Sequence, residues 1–223
     1  MRRGFGFLTA AVFVILFSAP AWAHTVLDTI TTWNGTTYVQ SFGVSNTATY
    51  GQVITVPATD TVLKDFSFEM NLPSTVIFRG EVYAWDGTKA TGPSLYESAP
   101  AHTSGSGNFE LITFTIPNGV ALKAGQQYVI FASTSKDQAT GSGTGSWGRI
   151  ASGTGFYYIN NGSDSSQWTA SAWTNYGSDL AYRATFDSLT NVPAMNEWGM
   201  IAFALLAGLS SLFFLRRSKK SQS

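Results

Sequence analysis

The sequence predicts an all-β protein whose body is a single antiparallel β-sandwich, jelly-roll-like in its connections, with a helix at each end of the chain. Apolar and polar residues alternate over short runs such as Phe66 to Leu72, and this two-residue period is typical of half-buried strands. Turn-forming pairs such as Asn34-Gly35 and Asp86-Gly87 separate the runs. Aromatic residues make up 14% of the 223 residues and cysteine is absent, which excludes a disordered chain and a disulfide-stapled one.

Five runs carry the strand prediction. We expect inward-facing apolar residues in Phe66 to Leu72, Phe78 to Ala84, Ile112 to Ile116 and Tyr182 to Phe186. The run Tyr128 to Ala132 is apolar on both faces, which predicts a central strand. Turn spacing predicts roughly nine or ten strands in a domain over residues 24–190. The glycine-rich stretch 140–155 is interpreted as a long surface loop of that domain.

The N-terminus predicts export. Arg2 and Arg3 precede an uncharged apolar stretch, and Ala21 and Ala23 form a small-x-small cleavage pattern. This order is typical of a secretory signal peptide over residues 1–23, removed by signal peptidase. Cleavage after Ala23 would leave His24 as the first residue.

The C-terminal segment, residues 191–223, predicts a membrane tether. Residues 198–215 form an apolar, uncharged segment long enough for a short transmembrane helix. A basic tail over residues 216–223 follows, and its positive charges hold that end on the cytoplasmic side. The tail's charged residues are Arg216, Arg217, Lys219 and Lys220.

The motif at residues 192–199 precedes the apolar segment; it consists of Val192, Pro193, Ala194, Met195, Asn196, Glu197, Trp198 and Gly199. Motif, helix and basic end together resemble the IPTL-CTERM class of bacterial C-terminal sorting domains, relatives of the PEP-CTERM signals read by exosortases. Pro193 matches that class, whereas Val192, Ala194 and Met195 depart from its usual residues. The resemblance implies an exosortase-type membrane sortase as partner, in a Gram-negative bacterium. It also implies a precursor tethered in the inner membrane and a product at the cell surface or in the extracellular matrix, without catalytic activity of its own.

A second resemblance covers roughly residues 37–135. The stretches Phe78 to Gly87, Ala90 to Ser98 and Leu122 to Phe131 are similar to exported β-sandwich domains of the choice-of-anchor kind. This resemblance implies a sandwich in a surface setting and leaves the ligand open. Charge excludes a nucleic-acid partner, because residues 4–215 carry a net charge of −6. We therefore expect a non-catalytic surface or matrix protein.

Aromatic residues support an alternative function, binding of a surface glycan. Six of them crowd the glycine-rich C-terminal third of the body: Trp147, Trp168, Trp173, Tyr157, Tyr158 and Tyr176. Aromatic faces beside amides and carboxylates are how sandwich lectins hold sugar rings. The three tryptophans are the predicted sugar-binding residues.

Metal sites form the remaining hypotheses. His24, with its new α-amino group, and His102 could bind copper, an arrangement similar to the histidine brace of lytic polysaccharide monooxygenases. Oxygen-bearing side chains near turns could hold a structural calcium ion, although their spacing does not approach an EF-hand. These are Asn160, Asn161, Asp164, Asp179, Asp86 and Asp137. We otherwise expect no cofactor.

Overall fold

A computed structural model of the protein describes residues 24–188 and the helical residues Ile201, Ala204, Leu205 and Gly208. Within residues 24–188 the prediction of an all-β antiparallel sandwich is confirmed, since twelve strands form two sheets. The strands are β1 Thr25–Asp28, β2 Tyr38–Phe42, β3 Thr49–Thr55, β4 Asp60–Asn71, β5 Arg79–Trp85, β6 Ala90–Glu97, β7 Glu110–Ala121, β8 Gln127–Ser133, β9 Gly145–Gly148, β10 Phe156–Ile159, β11 Thr174–Asn175 and β12 Tyr182–Ser188. The remaining elements are a 3-10 turn, Ile30–Thr32, and a short helix α1, Gln167–Ala170.

The two sheets differ in regularity. Sheet B has the order β11-β10-β3-β8-β5-β6. Sheet A has the order β1-β12-β4-β9-β2, with β7 paired to the opposite edge of β4. One edge of the long strand β4 pairs first with β12 and then, at Met70 and Asn71, with β9, so sheet A forks along this strand. Because β2 pairs only with β9, it is an edge strand of sheet A.

The core lies between the sheets. Phe66, Phe68 and Met70 of β4 are fully buried, as their alternation predicts, in one core cluster with Val82 of β5 in the other sheet. Each such side chain contributes about 1.5–3 kcal/mol through loss of apolar surface from water. Strand β8 pairs with β3 and β5 and is buried on both faces, which confirms the predicted central strand.

The glycine-rich stretch contains a strand that the sequence did not reveal. Strand β9 pairs with β2 and β4, and its Trp147 is fully buried, so interpretation of residues 140–155 as one long surface loop is wrong. A Cβ at Gly145 would lie 2.6 Å from the carbonyl oxygen of Asn71, and one at Gly148 would lie 2.9 Å from the indole of Trp33. Glycine is needed here because neighbouring atoms approach the backbone closely.

Both ends of the described body lie at one corner of sheet A. His24 contacts the carboxylate of Asp187 through Nδ1, and Ser188 pairs with Asp60 at the start of β4. Strand β4 has 12 residues. At about 3.3 Å per residue it spans roughly 35 Å. Strands β9 and β2 join it at its far end, so they lie at the opposite end of the sandwich from the two chain ends.

Candidate functional site

An aromatic cavity opens between β2 of sheet A and the β3–β10 side of sheet B. Its volume is about 340 Å³, which falls in the lower part of the range of ligand pockets. Its lining is aromatic, amide, hydroxyl and aliphatic, without a charged side chain among its members. We call it the tyrosine groove; its lining residues are Val39, Gln40, Thr47, Tyr50, Tyr158, Asn160 and Tyr176.

Two tyrosines of the groove come from paired strands. Tyr50 of β3 and Tyr158 of β10 are direct cross-strand partners, with ring centroids 6.3 Å apart and planes at 86°. The Tyr50 hydroxyl donates a hydrogen bond of 2.6 Å to the backbone carbonyl of Gln40 in β2. Burial raises the pKa of Tyr50 to about 12, so this hydroxyl remains a donor at neutral pH.

The third tyrosine is the most accessible. Tyr176 is 45% exposed and stacks on the buried ring of Phe156, with centroids 4.8 Å apart and planes at 19°. Within the part of the chain that the structure describes, the Tyr158 and Tyr176 hydroxyls and the Asn160 amide have no hydrogen-bond partner in the protein. These groups are free to bond a ligand because an amide both donates and accepts, and so does a phenol.

A bulge in β2 shapes the rim of the groove. Ser41 adopts a φ of 78°, and the pairing of β2 with β9 shifts register between Gln40 and Phe42. The Thr47 amide donates to the carbonyl of Ser41 at 3.0 Å, which closes the turn that carries Thr47 into the lining. Positive φ is unfavourable for a residue with a Cβ, so the fold imposes this conformation.

The predicted sugar-binding tryptophans do not form an exposed site. Trp147, Trp168 and Trp173 are 0%, 2% and 5% exposed, so their faces cannot stack on a sugar and that prediction is wrong. Trp147 packs in the main core against Phe42 and Phe68. The three tryptophans are buried because removing the large apolar surface of an indole from water stabilises the fold more than removing that of a smaller side chain.

Trp168 and Trp173 instead close a second core on the outer face of sheet B. They pack on Phe131 with centroid distances of 5.1 and 5.2 Å. The Trp168 Nε1 donates to Thr49 Oγ1 at 3.1 Å, and the Trp173 Nε1 donates to the Trp168 carbonyl at 2.9 Å. These bonds satisfy both buried indoles and hold the segment that contains α1 over the sheet.

The copper hypothesis is also wrong on geometry. The threonine that follows His24 donates to Asp60 at 2.6 Å, at the start of β4. The threonine that follows His102 donates to the carbonyl of Leu72 at 2.6 Å, one residue beyond the end of β4. The two histidines therefore lie at opposite ends of a strand roughly 35 Å long, too far apart to bind one ion.

The calcium candidates make other contacts. Asp86 accepts bonds from its own turn, Asp137 pairs with Arg79 at 2.7 Å, and Asp164 accepts bonds from Ser166. Asp179 accepts a bond from the Gly155 amide at 2.9 Å, Asn161 is buried among hydroxyl groups, and Asn160 lines the groove. Among the described residues, no group of three or more acidic or histidine side chains could hold a metal ion.

An ionic chain crosses the outer face of sheet B. Lys136 Nζ lies 2.9 Å from the buried carboxylate of Glu81 and 2.6 Å from that of Glu97, and Arg79 joins Glu97 to Asp137. Burial raises the pKa of Glu81, and the Lys136 ammonium opposes part of this rise. These ion pairs hold β5, β6 and the turn after β8 together.

The predictions for the two ends of the chain fall largely outside the described residues. This applies to Ala21 and Ala23, to the motif at residues 192–199, to most of segment 198–215 and to the basic residues from Arg216 to Lys220. His24 is the first described residue. Within the portion described, no helix is long and apolar enough to cross a membrane.

Part of the groove was predictable from the sequence. Tyr158 and Tyr176 were among the aromatic residues that the sequence picked out, whereas Tyr50 and Gln40 were missed and Asn160 appeared only as a calcium ligand. Alternation in the run from Phe156 to Ile159 places Tyr158 on the core side with Phe156, and this signal could have indicated a tyrosine at the sheet edge. Nothing local pairs Tyr158 with Tyr50, because 108 positions separate them.

Comparisons with known proteins are distant. No protein-family model matches the chain, and no curated protein matches it significantly. A solved structure of the cysteine protease and lectin-like domains of Cwp84, a surface layer associated protein of Clostridium difficile, is 12% identical with a TM-score of 0.46; the match covers 77% of this chain and 37% of that one. The clostridial cysteine protease Cwp84 after propeptide cleavage is 13% identical with a TM-score of 0.49, over 77% and 42% of the two chains. The match spans less than half of each Cwp84 chain, and neither likeness is close enough to bear on the groove.

Proposed function

We propose that the chain is a non-catalytic, exported surface module that binds a glycan in the tyrosine groove. The observation that carries the proposal is the combination of accessible tyrosine rings with unpartnered hydroxyl and amide groups in one open groove. Sugars present flat C–H faces, which pack on aromatic rings, and hydroxyl groups, which exchange hydrogen bonds with phenols and amides. Tyr158, Tyr176 and Asn160 are the residues that would provide these contacts.

The chemistry of the lining supports binding rather than hydrolysis. Glycoside hydrolysis uses a pair of carboxylic acids on either side of the scissile bond. The groove's lining residues supply no carboxylate. Glu81 and Glu97 lie instead in the ionic chain of sheet B, where both carboxylates pair with Lys136.

The position of the groove supports display at a surface. We propose that residues 1–23 direct export and that residues 191–223 form the sorting signal of an exosortase-type sortase. The body would first hang from the inner membrane through segment 198–215 and then reach the cell surface or the extracellular matrix. His24 and Ser188 lie at one end of sheet A and the groove at the other, so the groove is at the end of the body opposite the proposed tether.

Glycan binding is tested with the full-length chain in detergent, on a glycan array and then by calorimetry with the best glycan. Tyr158→Ala and Tyr176→Ala should each lower affinity about tenfold or more. Val26→Ala, an exposed apolar change at the opposite corner, serves as the matched control and should leave affinity unchanged. Absence of binding to every glycan, or equal affinity of all variants, would refute the proposal.

Sorting is tested separately by mass spectrometry of the protein from the host envelope. We expect an N-terminus at His24 and a C-terminus between Val192 and Trp198. A chain intact through Ser223 would show a plain membrane tether and would remove the sortase from the proposal.

A further inference from the structure

A second aromatic feature lies on the outer face of sheet A, at the same end of the sandwich as the groove. The Phe109 ring lies 4.9 Å from that of Trp33, edge to face, and 6.2 Å from that of Tyr38. Tyr38 is 45% exposed, and Trp33 and Phe109 are partly buried. We call these three residues the outer aromatic patch. Grouped apolar rings that keep part of their surface in solvent are a feature of binding surfaces.

The patch has a rigid base. Trp33 lies over Gly148, where a Cβ would come within 2.9 Å of the indole, and its Nε1 donates to the Thr37 carbonyl at 2.7 Å. The Asn34 carboxamide oxygen accepts the amides of Thr36 and Thr37 at 2.9 and 2.8 Å, which fixes the turn that leads into β2. Preorganised rings lose little entropy when a ligand binds.

The patch and the groove meet along β2. Tyr38 belongs to the patch, and the next two residues, Val39 and Gln40, line the groove. Arg149 connects the two sides: its Nε donates to the Tyr38 carbonyl at 3.1 Å, and its guanidinium carbon lies 5.5 Å from the centroid of the Tyr176 ring. The patch is therefore linked to the groove by two side chains: Gln40, whose Nε2 lies 3.5 Å from the Tyr38 hydroxyl, and Arg149.

We propose that the outer aromatic patch and the tyrosine groove are parts of one extended site, which binds a polysaccharide chain laid across the β2 edge rather than a single terminal sugar. This inference rests on the proposed glycan binding. A chain of sugars presents a C–H face at each unit along its length, and such a ligand matches aromatic rings that recur at neighbouring positions. The groove lining and the patch have no charged side chain among their members, so uncharged chains are the ligands expected to contact their rings; the guanidinium of Arg149 lies between the two and keeps its charge.

The test is the dependence of affinity on ligand length. Cello-, xylo- and chito-oligosaccharides of one to eight units are titrated into the full-length protein in detergent. For the series that binds, we expect affinity to rise beyond the disaccharide. Tyr38→Ala and Phe109→Ala should lower affinity for the longest oligomer about tenfold and leave that for the disaccharide unchanged. Tyr176→Ala should lower both.

Controls separate this inference from the proposal on which it rests. Tyr38→Phe keeps the ring and should bind long oligomers like the wild type, and a thermal melt shows that each variant is folded. Leu95→Ala, an exposed change on β6 of the other sheet, should have no effect on binding. Unchanged affinity for long oligomers in Tyr38→Ala and Phe109→Ala, with loss in Tyr176→Ala, would overturn the extended site and retain the groove. Failure of the wild type to bind any oligosaccharide would overturn both.

Discussion

The hydroxyl of Tyr50 in sheet B donates a 2.6 Å hydrogen bond to the carbonyl of Gln40 in sheet A, and so joins the two sheets at the base of the groove. The bond links β3 of sheet B to β2, which is an edge strand of sheet A. It therefore holds the two walls of the groove at a defined separation.

Tyr50→Phe should lower the free energy of unfolding by about 1 kcal/mol, because the Gln40 carbonyl loses its partner while the ring's packing is retained. Glycan affinity should fall as the walls become less rigidly spaced. Urea denaturation and calorimetry measure the two effects. Wild-type stability and affinity in this variant would show that the bond does not organise the groove.

Ser41 should respond to substitution according to its positive φ. Ser41→Val should be less stable than Ser41→Gly by about 1–2 kcal/mol, because a branched Cβ is strained in the left-handed region and glycine is not. Urea denaturation of the two variants measures the difference. Equal stability of valine and glycine would mean that β2 changes its register instead of keeping the bulge.

Glu81 should make stability depend on pH. Burial raises its pKa in the folded protein above the ordinary value of 4.5, so the folded state binds a proton more tightly than the unfolded chain. The resulting stabilisation is complete below the unfolded pKa and is lost as pH rises through the folded pKa. The stability of the wild type relative to Glu81→Gln should therefore fall as pH rises from below 4.5, as measured by denaturation at a series of pH values.

Asp86 provides a control in which the pKa shift, and hence the change of stability with pH, has the opposite sign. Hydrogen bonds from Thr88 lower its pKa below the ordinary 3.8. Its stabilisation is present above the unfolded pKa and is lost as pH falls through the folded pKa. Parallel pH profiles for Glu81→Gln and Asp86→Asn would contradict the assigned causes.

Trp168 distinguishes a structural tryptophan from a ligand-binding one. Trp168→Phe removes the bond to Thr49 and the indole surface over Phe131, so the free energy of unfolding should fall by about 1–3 kcal/mol. Glycan affinity should stay at the wild-type value, because this side chain is buried on the outer face of sheet B, whereas Tyr50 and Tyr158 lie on the inner face. Reduced affinity with unchanged stability would reverse this assignment.

Strands with one buried and one solvated face were predictable from the sequence. A strand that forms only because it pairs with neighbouring strands was not. Alternation placed Phe66, Phe68 and Tyr182 on the core side without knowledge of any neighbour, because a period of two reports one solvated face. Strand β9 escaped because its four residues, Gly145–Gly148, contain too few side chains to show a period. Its strand character arises from pairing with β2 and β4.

For the candidate site, the sequence alone determined which aromatic residues the chain carries and that they occur in a charge-poor sandwich body. It could not determine which of them would be buried. In the sequence pattern, a buried aromatic residue and an exposed one look alike. Whether the ring is exposed depends on which distant segments pack against it. Only the tertiary structure decided that Trp147, Trp168 and Trp173 fill two cores. It also brought Tyr50 and Tyr158, 108 positions apart, together across β3 and β10. Pairing between strands that are distant in sequence depends on the whole sheet. For that reason the groove could not be predicted from any local segment of the sequence.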